Sequence, residues 1–250
     1  MSQVTLNPQT LPVNDNVNPY AFCVDLNGNY FVQKGKMIAY YGQIKYEALS
    51  MGGLSQLVAG HFSSPLYHQD WTVATGQGKL ILGDRGFDIN SFDLDNGNLT
   101  VRASSLLGFE ATLQLKQSIV PGFLTLIGTG KFLASSNGPV HFVEPPVRVD
   151  PQALVGWADC PSPCHHYDHT YMESVMGMVG SMFGRGGSGE EHQFDFTGSG
   201  TVLMQSSETV DDTGVLREMQ SQVHGLGVPG LQQMQATINQ RLMQEQQSGA

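Results

Sequence analysis

One short pattern occurs three times in this chain. Thr75-Gly76-Gln77-Gly78-Lys79-Leu80-Ile81, Gly128-Thr129-Gly130-Lys131-Phe132-Leu133 and Thr197-Gly198-Ser199-Gly200-Thr201-Val202-Leu203 are each a Gly-x-Gly followed by one polar and then apolar residues. Such a motif can cradle a phosphate, but only where a helix follows the loop. Here residues of β type follow every copy. The motif therefore predicts a bend or bulge that turns a strand around a corner.

A second window precedes each copy. Met37-Ile38-Ala39-Tyr40, Leu106-Leu107-Gly108-Phe109 and Leu154-Val155-Gly156-Trp157 each place two apolar residues before a small one and an aromatic. Asn27-Gly28-Asn29 and Asn96-Gly97-Asn98 stand at matching distances ahead of the first two windows. From window to Gly-x-Gly the separations are 36, 19 and 41 residues (Tyr40 to Gly76, Phe109 to Gly128, Trp157 to Gly198). The middle copy is the compact form, and the outer two carry insertions at the same point. Internal repetition of this kind decides an architecture before any motif does. It predicts repeats at about 20–91, 92–140 and 141–208, with insertions near 44–68 and 160–189.

The compact copy is too short to hold a crossover helix, which excludes a βαβ unit. It predicts one strand region over Asn98–Leu107, an alternating strand over Glu110–Lys116, a turn at Pro121-Gly122, and a strand from Phe123 through the Gly-x-Gly. In the first copy Phe22, Val24 and Leu26 alternate as a strand, and Asn27-Gly28-Asn29 predicts a hairpin turn. With 30 Gly and only 14% charged residues, the composition suits short strands and tight turns. The expected fold is all-β, with sandwich or barrel geometry, over 20–208. Residues 1–19 are a polar N-terminal arm, in which Leu11 and Val13 form a short leading strand or which is mobile throughout.

Two segments read as helical. Met172, Val175, Met176, Val179, Met182 and Phe183 follow helical spacing inside the second insertion and give a Met-rich face that suits packing on its own protein, a partner or a membrane surface. The tail over 209–250 has Leu231, Met234, Ile238 and Leu242 on one face of a Gln-rich helix.

The net charge of −10 repels phosphate backbones, and the 12 Lys and Arg are scattered, so no nucleic-acid partner is expected. The N-terminus lacks a basic segment leading into an apolar core, and no apolar run spans a bilayer. Three cysteines, an odd and sparse number, point to a reducing, cytoplasmic compartment.

The stretch richest in chemistry is Cys160-Pro161-Ser162-Pro163-Cys164-His165-His166-Tyr167-Asp168-His169. Cys and His are the side chains that hold zinc in tetrahedral sites, and three ligands with one water make a catalytic site. The candidate ligands for zinc or another divalent metal are Cys160, Cys164, His165, His166 and His169. His165 and His169 would share a face if the stretch were helical. His61, His68 and Asp70, in the first insertion, join this cluster if the two insertions meet. No nucleophile elbow, Walker loop, His-Glu-x-x-His or EF-hand loop is present.

The run Asn29-Tyr30-Phe31-Val32-Gln33-Lys34-Gly35-Lys36-Met37-Ile38-Ala39-Tyr40-Tyr41-Gly42 resembles the opening signature of bacterial proteins related to the mitochondrial "altered inheritance of mitochondria" biogenesis protein. So do Gly128-Thr129-Gly130-Lys131-Phe132-Leu133, Val147–Trp157 and Phe196–Ser206, which together extend the resemblance over about 20–207. The resemblance implies a β-sandwich or double-stranded β-helix-like fold similar to the tryptophan RNA-binding attenuation protein, a threefold internal duplication, and assembly into a ring such as a trimer. It brings no catalytic residues and no cofactor. The expectation is a non-enzymatic, homo-oligomeric β scaffold or binding protein with an unidentified protein partner. The alternatives are a metal-binding protein or metalloenzyme built on the Cys/His stretch, and a membrane-surface protein built on 171–183.

Overall fold

Strands dominate because apolar residues recur at every second position between turn-forming residues. The computed structural model describes residues 7–49, 70–159, 162–167 and 192–208. No α-helix occurs among them, and all strand pairs are antiparallel. They belong to one unit, Met1–Val210. The Met-rich insertion and the tail read as helical lie outside the described residues.

In chain order the larger sheet takes β1 (Asp15–Asn18), β2 (Ala21–Gln33), β3 (Met37–Ala48), β4 (Trp71–Gly83), β5 (Asp88–Arg102), β6 (Leu106–Glu110), β7 (Gln114–Gln117), β8 (Phe123–Ser136) and β9 (Val140–Val143). It then takes β11 (Leu154–Ala158) and β14 (Thr201–Gln205). Its path is β3-β4-β2-β6-β8-β5-β11-β14-β9, with β1 on β2 and β7 on β8. A small sheet runs β10 (Val147–Val149), β13 (His192–Phe196) and β12 (Cys164–Tyr167).

The long strands bend where glycines stand. β2 pairs with β4 along its whole length, with Gly28 opposite Gly76, and β4 pairs with β3 with Gly78 opposite Gly42. In β5 and β8 the corresponding pair is Gly97 opposite Gly128. Gly28, Gly42, Gly76, Gly78, Gly128 and Gly130 all have positive φ. At the bend, partners change. The first half of β2 takes β1 and the second half takes β6, while β8 takes β7 and then β6. The third Gly-x-Gly lies between strands, with Gly198 and Gly200 at positive φ where the chain passes from β13 to β14.

Several expectations are corrected. Asn27-Gly28-Asn29 is no hairpin. It is the mid-point of β2, because the positive φ of Gly28 (+116°) serves a bend as well as it serves a turn. Asn98–Leu107 is broken at Ala103, where a turn closes with Ser105 N–H donating to Arg102 O (3.1 Å). Glu110–Lys116 is likewise broken by a turn closed by Leu113 N–H on Glu110 O (3.0 Å), and β7 starts only at Gln114. The leading strand is Asp15–Asn18 rather than Leu11–Val13. Within the expected insertion near 44–68, Ile44–Ala48 continue β3, and residues 50–69 lie outside the described residues.

The core lies against these bent strands. One cluster gathers Phe31, Trp71, Val101, Phe109, Leu126 and Phe132. Phe31 stacks on Phe109 at 4.9 Å between centroids, and Trp71 meets Phe109 edge-on at 5.2 Å. A second cluster gathers Phe22, Val24, Leu80, Leu82, Leu107 and Leu133. Cys23 and Ile81 bury the opposite face of the same strands. Each fully buried Phe or Leu contributes about 1.5–3 kcal/mol through removal of apolar surface from water. The small sheet joins this core through Phe194 and Phe196, which meet Phe123 and Trp157 at 6.1 and 5.6 Å. Arg102 is buried beside them. Its Nε donates to Leu154 O at 3.0 Å, its guanidinium also reaches Pro151 O, and it lies 5.3 Å from the Phe123 ring.

Candidate functional site

The Cys/His stretch enters the small sheet as a strand, not a helix. β12 pairs with β13 in the register Cys164–Asp195, His165–Phe194, His166–Gln193 and Tyr167–His192. Side chains alternate across a strand, so Cys164 and His166 stand on one face and His165 on the other. Those three do not converge. Cys160 and His169 lie outside the described residues, as do His61 and His68. Asp70 is described, and its carbonyl accepts a hydrogen bond from Lys34 N–H at 2.8 Å. Among the described residues, no group of three or more His, Cys, Asp or Glu could hold a metal ion.

β13 supplies a partner for His165 that sequence reasoning missed. His165 Nε2 lies 3.2 Å from His192 Nδ1, and the rings stack at 5.3 Å with 30° between planes. His165 also meets the edge of buried Phe194 at 6.3 Å. Partial burial of the ring, then the neighbouring His192 and His166, hold the His165 pKa below the ordinary histidine value. The signal was present in His192-Gln193-Phe194-Asp195-Phe196. With Phe194 and Phe196 facing the core, period-2 alternation places His192 on their face. On the other face Arg148 and Asp195 form an ion pair at 3.5 Å.

A second candidate surface lies along β3, at one end of the larger sheet. Among the described residues β3 has a ladder partner on one side only, β4. Ile38 is 60% exposed, Tyr20 55% and Tyr40 45%, and Met37 is exposed beside them. Gly83 brings two of them together, for a Cβ there would lie 2.5 Å from Ile38 Cδ1 and 2.8 Å from Tyr20 O. Tyr40 leans on Tyr46 at 5.9 Å, and burial, then Tyr40, push the Tyr46 hydroxyl up to about 12. The opposite end of the sheet is β9, paired only with β14 among the described residues and carrying exposed Phe142.

Three lysine–carboxylate pairs link different parts of the larger sheet. Lys36 Nζ contacts Asp84 Oδ1 at 2.6 Å, and Ser135 Oγ donates to Asp84 Oδ2 at 2.7 Å. Lys79–Asp25 and Lys131–Asp93 pairs, at 2.8 and 2.9 Å, flank the first two Gly-x-Gly bends. No helix among the described residues is long and apolar enough to cross a membrane.

Comparison with known proteins agrees with the fold. No curated protein matches the chain. A solved protein from Streptococcus pyogenes, SPYM3_0169, is similar in fold, with a TM-score of 0.55 at 19% identity over 84% of this chain and 96% of that one. The family model described as mitochondrial biogenesis AIM24 matches residues 22–207, which include both bent strand pairs, β3 and the small sheet. The chain belongs to the AIM24 family.

Proposed function

We propose that this protein is a non-enzymatic β scaffold that assembles with copies of itself through the open end of its larger sheet. The observation that carries the proposal is β3. Its 12 residues, about 40 Å at ~3.3 Å per residue, have a ladder partner on one side only among the described residues. Exposed Met37, Ile38 and Tyr40 stand on that edge. An exposed, long, apolar edge strand invites uncontrolled pairing unless a partner covers it. Closed symmetric assembly covers it, and strand addition supplies both main-chain hydrogen bonds and pockets for alternate side chains. A ring such as a trimer satisfies this requirement. A cytoplasmic location accords with the free thiols of Cys23 and Cys164.

Sedimentation velocity of the full chain between 1 and 100 µM tests the proposal. The wild type is expected to sediment as a discrete oligomer, and Ile38→Lys with Tyr40→Lys is expected to shift it towards monomer by at least tenfold in dissociation constant, with unchanged circular dichroism. A monomeric wild type at 100 µM, or an unchanged oligomer in the double variant, would sink this reading.

A further inference from the structure

We propose that His165 and His192 form a site for a borderline divalent transition-metal ion (Zn²⁺, Ni²⁺ or Cu²⁺) on the small sheet. It is independent of self-assembly through β3. The two ring nitrogens that face each other are 3.2 Å apart. Two nitrogens on one tetrahedral zinc ion, at Zn–N distances of about 2.0–2.1 Å, are themselves about 3.3 Å apart. The pair is thus already spaced as two corners of a coordination sphere.

Two further observations favour it. Both residues stand on strands, so the ladder from Cys164–Asp195 to Tyr167–His192 fixes their Cα positions. Ring contact with buried Phe194 limits the swing of His165. Without metal the two nitrogens share one hydrogen bond. On binding, each turns a lone pair to the ion and keeps its proton on the other ring nitrogen, so no net proton is lost. Imidazole suits zinc, nickel and copper, whereas calcium and magnesium prefer oxygen. Two protein ligands leave positions for water or for a ligand from another molecule.

The sequence alone groups different ligands: Cys160, Cys164, His165, His166 and His169. The two assignments give opposite mutational patterns. Tag-free full-length protein is titrated with Zn²⁺ and Ni²⁺ by isothermal calorimetry, and the Cu²⁺ complex is examined by electron paramagnetic resonance. One ion per chain and hyperfine coupling to two imidazole nitrogens are expected. His192→Gln and His165→Gln should each weaken binding at least tenfold and reduce the nitrogen count, while His166→Gln and Cys164→Ser leave both unchanged. Binding lost with His166 or Cys164 but kept in His192→Gln would overturn the proposal in favour of the sequence-derived cluster. No stoichiometric binding of any of the three ions to the wild type would overturn both. Circular dichroism checks that each variant folds, and His192→Asn, read by the same titration and spectrum, takes the place of a His192→Gln protein that does not.

Discussion

Asp84 is a side chain whose environment fixes what a change must do. It is 4% exposed, and its carboxylate takes Lys36 on one oxygen and Ser135 on the other. Burial alone would raise its pKa. The hydrogen bonds from Lys36 and Ser135, with the charges of Lys36 and Arg85, outweigh that and hold it below the ordinary value of 3.8. A carboxylate lowered in the folded state stabilises the fold fully above the unfolded value. The contribution is lost as the pH falls from 3.8 through the folded pKa. Replacing Asp84 by Ala leaves the Lys36 ammonium unpaired in a largely buried place, and should cost roughly 3–5 kcal/mol at pH 7. Urea unfolding of both forms at pH 7 and again near pH 2.5 checks this. The gap between them should narrow at the lower pH, and a constant gap would show that packing, not charge, is responsible.

At the scale of elements, the glycine bends decide how the strands run. A Cβ on Gly76 would run into the backbone carbonyl of Gln43, and Gly76 has φ +134°; Gly28, across the ladder at φ +116°, has open space around it. Gly76→Ala should therefore destabilise by about 3 kcal/mol or more, from steric overlap added to backbone strain. Gly28→Ala should cost only about 1–2 kcal/mol, from strain alone. Denaturant midpoints of the two variants test the contrast, which disappears if ladder neighbours shift freely. The Gly-x-Gly bends were legible in the sequence because two glycines ahead of β-type residues satisfy a positive φ and little else. The role of Asn27-Gly28 was not legible. A hairpin and a mid-strand bend ask for the same φ, and only the distant partner Gly76 distinguishes them. The Cys/His stretch stood out by density, yet His165 finds its nearest partner 27 residues away in His192. Local spacing favoured a helical pairing with His169 and could not reveal a cross-strand one. The turn breaks at Ala103 and Ala111 escaped notice because apolar alternation continues through them.

For the whole molecule, charge and apolar surface pull in opposite directions. Copies with a net charge of −10 repel one another at long range. If apolar side chains on β3 drive association, screening should strengthen it. The Debye length falls from about 30 Å at 0.01 M to about 8 Å at 0.15 M. Sedimentation in 10, 150 and 500 mM sodium chloride should therefore show tighter assembly with increasing salt. The opposite trend would mean that ion pairs hold the copies together. The root of the 50–69 segment has its own consequence. Ala48 pairs with Thr72, Gln33 pairs with Trp71, and Leu49 and Trp71 are both buried in the core. The chain thus leaves and re-enters the same ladder at neighbouring points, and that junction is closed by residues on either side of the segment. For an engineered flexible linker there, each doubling of length would add only about 0.6 kcal/mol to the cost of closure. A linker engineered between those two points can therefore vary in length while β3 and β4 keep their pairing.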